Sequence, residues 1–357
     1  MQLRENYRYA LLMPTSMGVR ITPLDRQPVH TSSVFYMQST SAESNVGQIA
    51  ASLGMRVKLL TAFVEGSPVA RFIKDELRKR NLEYEGPDLP QGGPWGYRHQ
   101  FNIADSGFGL RGPLVWNDRA GELGCTLNAD YYDLKRIFED EGVGIVHFSG
   151  LIAAMSESTA LLCLQLARLA RANGSLVSFD LNYRSSFWAG REESLRKVFN
   201  ELASQADILI GNEEEFQLAL GFQGPEIKAE GFAEKLDSFK EMAKKVRLKY
   251  PQCKVLANTL RQEESANAHL WGAILWTGDE WYLEKPRLIP VLDRIGGGDG
   301  FVGGLLYSIL KNWEPEKWLH FAWAAGCMAV TVLQDYAQPL SEAQVWSVYQ
   351  GNARVKR

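Results

Sequence analysis

The sequence predicts an α/β fold in which a mostly parallel central sheet is flanked by helices on both faces and carries a small β-sheet lid. Three observations predict it. From about residue 145 short β-branched or apolar runs alternate with longer stretches of helical period, the pattern of strand–helix–strand crossovers. Polar clusters follow four successive strand-like runs, and open α/β sheets bind ligands outside the carboxyl ends of their strands. Ahead of that region, Tyr97, His99, Phe101 and Ile103 alternate with Arg98, Gln100 and Asn102, the period of a strand wet on one face.

The elements follow in order. Helices are expected over about residues 45–53 and 68–80, with β-like stretches on either side, residues 30–38 among them, that supply the lid. Residues 144–149 (GIVHFS) read as a buried strand. A helix then opens near Ser156 or Ser158, carries Leu161, Leu162, Leu164, Leu166 and Leu169, and stops at Asn173-Gly174. The strand 176–180 ends in Asp180, Asn182 and Arg184, and the strand 207–210 in Asn212 to Glu215. The strand 254–259 ends in Leu260-Arg261, and a turn at 293–299 opens a helix over 301–310.

Composition narrows the function. The 357 residues are 45% hydrophobic and 23% charged, with 39 Lys and Arg against 42 Asp and Glu, a formal charge of -3. Such values exclude a disordered chain, a collagen-like repeat and a generally basic nucleic-acid binder, so no nucleic-acid partner is expected. Cys125, Cys163, Cys253 and Cys327 are far apart and suggest neither a disulfide framework nor a zinc ribbon. A reducing, cytoplasmic setting fits best. The opening MQLRENYRYALL has charges where a signal peptide needs apolar residues. The longest uncharged run, 318–334, falls short of a membrane span and reads as a buried helix.

The segment most specific for chemistry is DRIGGGDGFVGGLLYSIL, residues 293–310. A helix N-terminus exposes unpaired N–H groups and partial positive charge, so Gly296, Gly297 and Gly298 can hold a developing phosphoryl oxyanion. Asp299, in the first turn, can accept a proton from a substrate hydroxyl aligned on the phosphate. A plain N-cap explains the aspartate but not three consecutive glycines. The formal G-x-G-x-x-G at residues 107–112 is discarded because Pro113 follows and no helix opens there. The phosphate loop G-x-x-x-x-G-K-[ST] is absent. Asn212 and Glu215, one turn apart at a helix start, can orient water around a magnesium ion bound mainly by phosphates; an acidic first turn complementing the helix dipole accounts for them equally well.

Together these residues resemble the PfkB or ribokinase family of sugar kinases, and within it the 2-keto-3-deoxygluconate kinases. The glycine-rich segment is similar to the family's C-terminal signature, with Asp299 matching the catalytic base and Gly296 to Gly298 the anion hole. Asp180-Leu-Asn-Tyr-Arg184 with Phe187-Trp188 is similar to the D-x-N-Y-R…W segment of these kinases. Asn212-Glu-Glu-Glu215 matches the N-x-x-E motif linked to magnesium, and Thr259-Leu260-Arg261 looks like the nucleotide-proximal turn. With Asn45-Val46 and Leu53-Gly54 the similarity covers nearly the whole chain.

The resemblance implies a ribokinase-like fold and ATP-dependent, Mg²⁺-dependent phosphorylation of a primary hydroxyl of a sugar acid. It implies a core of residues 1–14, 41–88 and 126–357, a lid of residues 15–40 and 89–125, and a homodimer through the lid. Arg184 and Arg119 would face the acid, in a substrate site with Thr40, Ser41, Asn45, Tyr97 and Asn117. Asn212, Thr259, Leu260, Arg261 and Gly298 would hold nucleotide, and Glu215 and Asn212 the metal through water. The chain departs from the family pattern where Thr40-Ser41 stands for Gly-Gly, Thr15-Ser16 for Gly-Glu, Asn117 for an aromatic, Leu270 for a glycine near the phosphates and Gly300 for a serine. The phosphoryl-transfer end is thus largely intact and the sugar end has drifted. That keeps two alternatives open: a kinase of the same fold for another sugar or a nucleoside, and a ligand-binding relative without turnover.

Overall fold

The computed structural model describes residues 1–224, 232–278 and 280–354. The first part of the chain contributes β1 (Tyr9–Pro14), β2 (Gly18–Pro23), β3 (Phe35–Thr40), α1 (Ala42–Ser52), β4 (Val57–Leu60), β5 (Phe63–Val64), α2 (Pro68–Lys79), β6 (Glu83–Glu85), β7 (Asp88–Leu89), β8 (Phe101–Asp105) and β9 (Leu114–Asp118). The middle contributes β10 (Val143–Ser149), α3 (Gly150–Ala153), α4 (Glu157–Ala172), β11 (Leu176–Asp180), α5 (Ser185–Trp188), α6 (Glu192–Ala203), β12 (Ile208–Ile210), α7 (Glu213–Leu220) and α8 (Phe232–Lys249). The last part adds β13 (Val255–Ser265), β14 (Ala268–Thr277), β15 (Glu280–Pro290), α9 (Gly297–Leu310), α10 (Pro315–Ala329) and α11 (Glu342–Tyr349).

Among the described residues, nine strands form the main sheet in the order β15-β14-β13-β12-β11-β10-β1-β4-β6. From β13 to β6 all neighbours are parallel, and β14 and β15 are appended antiparallel. Successive residues of each strand feed two cores. Ile145, Ile208 and Val255 pack with α1, α9 and α10, while Val146, Leu209 and Leu256 pack with α4, α6 and α8. That double burial is why these strands read as unbroken apolar runs. β3, β2, β8 and β9 form a separate four-stranded sheet.

Local signals set the helix ends. Ser156 and Thr159 form a reciprocal capping box at the start of α4, and Asn173 with Gly174, at φ 73°, ends it. Asn212 and Glu215 do the same for α7. Of the apolar run 318–334, residues 318–329 lie in α10 and residues 330–334 form the turn after it; no helix of the described residues is long and apolar enough to cross a membrane.

Several expectations are corrected. α1 starts at Ala42 rather than residue 45, because the Ser41 hydroxyl oxygen accepts the Ser44 N–H at 3.1 Å. The stretch 30–38 splits into a 3₁₀ turn at Val29–Thr31 and β3, a break that accompanies the two prolines Pro23 and Pro28. Of the alternating residues 97–103 only those from Phe101 onward join β8, since Arg98 makes a single bridge to Glu122. β13 does not stop at Thr259. It runs on to Ser265 because β14 pairs antiparallel along its length, so Thr259, Leu260 and Arg261 lie within the strand rather than in a turn after it. α9 begins at Gly297, which makes Asp299 its third residue. Leu161 is exposed on α4 and not part of its buried stripe.

Candidate active site

The first turn of α9 shows why three glycines stand together, each for its own reason. Gly296 has φ 82°, and a Cβ there would lie 1.8 Å from the carbonyl oxygen of Asp335. A Cβ on Gly297 would meet the Trp271 ring at 2.4 Å, whereas on Gly298 it would meet nothing within 4 Å. Gly298 opens on a cleft of about 1270 Å³, which Gly296 and Asp299 also line, and Gly297 packs behind it. The amides of Gly298 and Asp299 have no intrahelical acceptor, so at the positive end of the helix dipole they are donors beside the cleft. Further along α9, a Cβ on Gly300 would press on the carbonyl oxygen of Ala325 at 2.9 Å, which explains glycine where a serine would need room.

Asp299 is half-buried on the cleft wall, and one of its oxygens accepts the Asn45 side-chain N–H at 2.9 Å. Burial pushes its carboxyl up to about 7, partly opposed by that hydrogen bond. A base whose pKa lies near neutrality is matched to accepting a hydroxyl proton there. Behind it Glu43 is buried, accepts from Thr15 Oγ1 at 2.7 Å and from the Ser149 hydroxyl, and is raised by burial.

The carboxyl ends of β11 and β12 add Asp180 and Glu215. Burial holds Asp180 well above the usual carboxylate range, reinforced by Glu215 and Asp299, with Arg184 opposing. Burial also raises Glu215, whose oxygens accept the backbone N–H groups of Tyr183 at 3.1 Å and Asn212 at 2.9 Å. Three half-buried carboxyl groups on one cleft wall, each raised by desolvation, fit a site that receives positive charge. Among the described residues no group of three His, Cys, Asp or Glu side chains could hold a metal ion by itself. These residues therefore fit a magnesium ion carried mainly by phosphates and water, with Glu215 and Asn212 beside it.

At the nucleotide-side expectation, Asn212, Thr259, Leu260 and Arg261 all line the cleft. Leu260 is also part of the core against α8. The Arg261 guanidinium is pushed down to about 10 by burial and then by Arg294. Both guanidinium groups reach toward Glu263, at 3.6 Å and 3.7 Å. Leu270 pairs with Gln262 within the β13–β14 hairpin and does not line the cleft.

The small sheet turns one polar row toward this cleft. Gln38, Arg20, Asn102 and Asn117 lie opposite one another across β3, β2, β8 and β9, and three of them line the cleft. The next row, Met37, Ile21, Ile103 and Trp116, is apolar and faces away. Thr40 donates to Asp335 Oδ2 at 2.7 Å, and Ser41 caps α1, so both hydroxyls serve the fold while lining the cleft.

The two arginines differ. Arg184 lines the cleft, exposed, and donates to the Tyr183 carbonyl. Arg119 lines the cleft too but donates to both oxygens of the buried Glu122, at 2.8 Å and 2.9 Å, and lies over the Phe187 ring. Tyr97 lies outside the cleft lining, with its side chain 41% exposed.

Arg20, Glu43, Gln100 and Asn102 also line the cleft, although no motif in the sequence marks them. For the last two a signal exists, since they occupy the polar positions of the alternating stretch 97–103. The side-chain oxygens of Asn45, Gln100, Asn102 and Asn182 are buried and, among the described residues, unpartnered, though all four side chains line the cleft. Buried acceptors are normally satisfied, so this cleft is built for a ligand that donates hydrogen bonds.

Residues 141–342 match the model of the pfkB family of carbohydrate kinases. The chain belongs to that family. Among curated relatives it is similar to a 5-dehydro-2-deoxygluconokinase of Clostridium perfringens, 30% identical over 213 residues. That alignment spans 59% of this chain and 56% of the relative's length. It is also similar to a 2-dehydro-3-deoxygalactonokinase of Haloferax volcanii, 25% identical over 89% of this chain and 90% of that one. Among solved structures, a 2-dehydro-3-deoxygluconokinase of Thermotoga maritima superposes with a TM-score of 0.85 at 24% identity, covering 97% of this chain and 100% of that one. The ribokinase-like fold is thus shared along nearly the whole length of this pfkB-family chain, and the family match includes the α9 glycines, Asp299, Arg184 and Glu215.

Proposed function

We propose that the chain is an ATP-dependent kinase that transfers the γ-phosphoryl group to a primary hydroxyl of a keto-deoxy sugar acid, 2-keto-3-deoxygluconate to its 6-phosphate. The observation that carries the reading is the convergence on one cleft of a half-buried carboxyl with pKa about 7, a glycine-lined helix N-terminus and the exposed guanidinium of Arg184, which has no carboxylate hydrogen-bonded to it among the described residues. Asp299, steered by Asn45, takes the hydroxyl proton as the oxygen attacks the γ-phosphorus. The bond to the β-phosphate oxygen breaks, ADP leaves, and the amides of the α9 first turn take up charge on the transferred group. Magnesium would neutralise the phosphates, held among Glu215, Asn212 and water. Arg184 would pair with the substrate carboxylate, while Asn45, Thr40, Ser41 and Asn117 line the acceptor site and Asn212, Thr259, Leu260, Arg261 and Gly298 the nucleotide site.

We also read residues 15–40 and 89–125 as the lid of a core formed by residues 1–14, 41–88 and 126–357, in a cytoplasmic homodimer. The dimer is supported by the apolar outer row of the small sheet, where Met37 and Trp116 are 43% and 68% exposed. A second reading, the same chemistry on a different sugar acid such as 5-dehydro-2-deoxygluconate, is favoured by the 30% identity to the Clostridium relatives and by Glu122, which neutralises Arg119. Magnesium-dependent ATP turnover against a panel of 2-keto-3-deoxygluconate, its galacto epimer, 5-dehydro-2-deoxygluconate, fructose, ribose and adenosine decides between them. Turnover on neutral sugars or nucleosides alone sinks the role given to Arg184, and silence across the panel favours a ligand-binding protein.

A further inference from the structure

The Arg20–Asp293–Asp335 ion cluster, buried at the junction of the two sheets, has no part in the chemical steps proposed above. Arg20, on β2, is 1% exposed, and its guanidinium forks between two carboxylates equally buried. Nη2 donates to Asp293 Oδ2 at 2.5 Å, and Nη1 donates to Asp335 Oδ1. Other groups of the small sheet reach the same pair. Thr40 donates to Asp335 Oδ2 at 2.7 Å, Gln38 accepts the Asp335 N–H at 3.2 Å, and Ser106, just after β8, donates to Asp293 Oδ2 at 2.7 Å.

On their other side both aspartates shape the anion hole. Asp293 Oδ1 accepts the Ile295 N–H at 3.0 Å and so sets the turn into α9. The Asp335 carbonyl oxygen occupies the space that a Cβ on Gly296 would need. Between them, Leu292 N–H donates to the Val330 carbonyl at 2.8 Å, joining the two segments.

We propose that Arg20 is a positioning residue of the phosphoryl-transfer site: clamped between Asp293 and Asp335, it fastens the small sheet to the two backbone segments that hold Gly296. The seating of the sheet over the cleft and the aim of the α9 amides are thereby set together. The inference rests on the phosphoryl-transfer reading, because the amides matter only if they meet a transferring group. A bond that merely glued the layers would lower stability when removed and leave the folded molecules' turnover unchanged. A misaimed anion hole loses turnover while nucleotide binding survives.

The test uses the full chain with Arg20→Met, Arg20→Lys, Thr40→Val and Ser106→Ala. It reads kcat and KM for ATP with the preferred acceptor, and amide hydrogen exchange of segment 293–300 with segment 160–172 as internal control. Arg20→Met is expected to lower kcat about tenfold or more, with the KM for ATP changed less than about threefold, since small misplacements at a reacting centre cost rate before binding. Exchange at 293–300 rises and at 160–172 stays as in the wild type. Thr40→Val and Ser106→Ala shift both readouts in the same direction by less, and Arg20→Lys recovers part of the loss. Wild-type kcat in Arg20→Met, or unaltered exchange at 293–300, overturns the proposal. Should Arg20→Met not fold, the same result in both hydroxyl variants overturns it. A wild-type chain that phosphorylates nothing sinks the substrate reading instead, and the exchange comparison then decides this one alone.

Discussion

Asn45 and Asp299, 254 positions apart in the chain, meet in a 2.9 Å hydrogen bond from the amide of α1 to the carboxyl of α9. The pairing fixes which way the amide faces, because its nitrogen must donate, and leaves the Asn45 oxygen without a partner among the described residues. The two helices come this close because Gly303 of α9 has no side chain. A Cβ there would lie 2.4 Å from the Val46 carbonyl oxygen. Packing of a glycine one turn away thus brings the Asp299 carboxyl to the Asn45 amide.

Asp299→Ala is expected to lower kcat by roughly 10²-fold or more, the range of a positioned general base, with the KM for ATP nearly unchanged. Steady-state kinetics with the preferred acceptor check it. Near-native turnover would remove Asp299 from the mechanism.

The pH dependence follows from the same carboxyl. Because its native pKa is about 7, kcat should fall tenfold per pH unit below that value as the base becomes protonated. The stability effect has the opposite sense. A raised native pKa means that the protonated carboxyl stabilises the fold fully below its unfolded value of about 4, and that this contribution is lost as the pH rises through 7. Asp299→Asn should therefore have a higher Tm than the wild type at pH 8, with the difference closing toward pH 4, while its activity is poor at both. Equal melting curves at pH 8 would show that the carboxyl does not carry a buried charge.

The glycines separate in the same way. Gly296→Ala combines a left-handed φ with a clash against the Asp335 backbone, so it should destabilise the chain by about 2–3 kcal/mol or more. Gly298→Ala meets nothing in the protein within 4 Å and should fold normally, yet on the proposed mechanism it puts a methyl group in the path of the phosphoryl group and should lower kcat. Denaturant unfolding of both variants, beside their kcat, distinguishes the roles. A Gly298→Ala enzyme with wild-type turnover would argue that no transferring group comes near that turn.

Much of this was legible in the sequence, for reasons that also mark where it stopped. β10, β11 and β12 are buried on both faces, so each reads as an apolar run, and the residue that ends the run is the residue at the cleft. Asp180, Asn212 and the α9 glycines could be found that way. β13 could not be bounded, because its second half, Gln262 to Ser265, is polar on the surface yet still paired with β14. Arg20, Glu43, Asp293 and Asp335 were beyond reach as a group. In a sequence a buried charge looks like a surface charge, and what distinguishes these four is side-chain partners 28 to 315 positions away.

The arginine pair offers the sharpest division between recognition and support. Among the described residues Arg184 donates only to a neighbouring carbonyl, so Arg184→Gln should leave the fold intact and raise the KM for an acid acceptor about tenfold or more, through loss of a charge-assisted pair, with the KM for ATP unchanged. Arg119 holds Glu122, whose carboxylate is buried and also accepts from Ser16 at 2.6 Å. Arg119→Gln strands that charge and should cost about 1–3 kcal/mol of stability. Replacing both residues, Arg119→Gln with Glu122→Gln, removes the stranded charge and should recover most of that loss. If Arg119 also grips the substrate, the double variant will regain its stability but keep a raised KM for the acid. If it only holds Glu122, stability and KM will return together, and Arg184 will be left as the one guanidinium that reads the carboxylate.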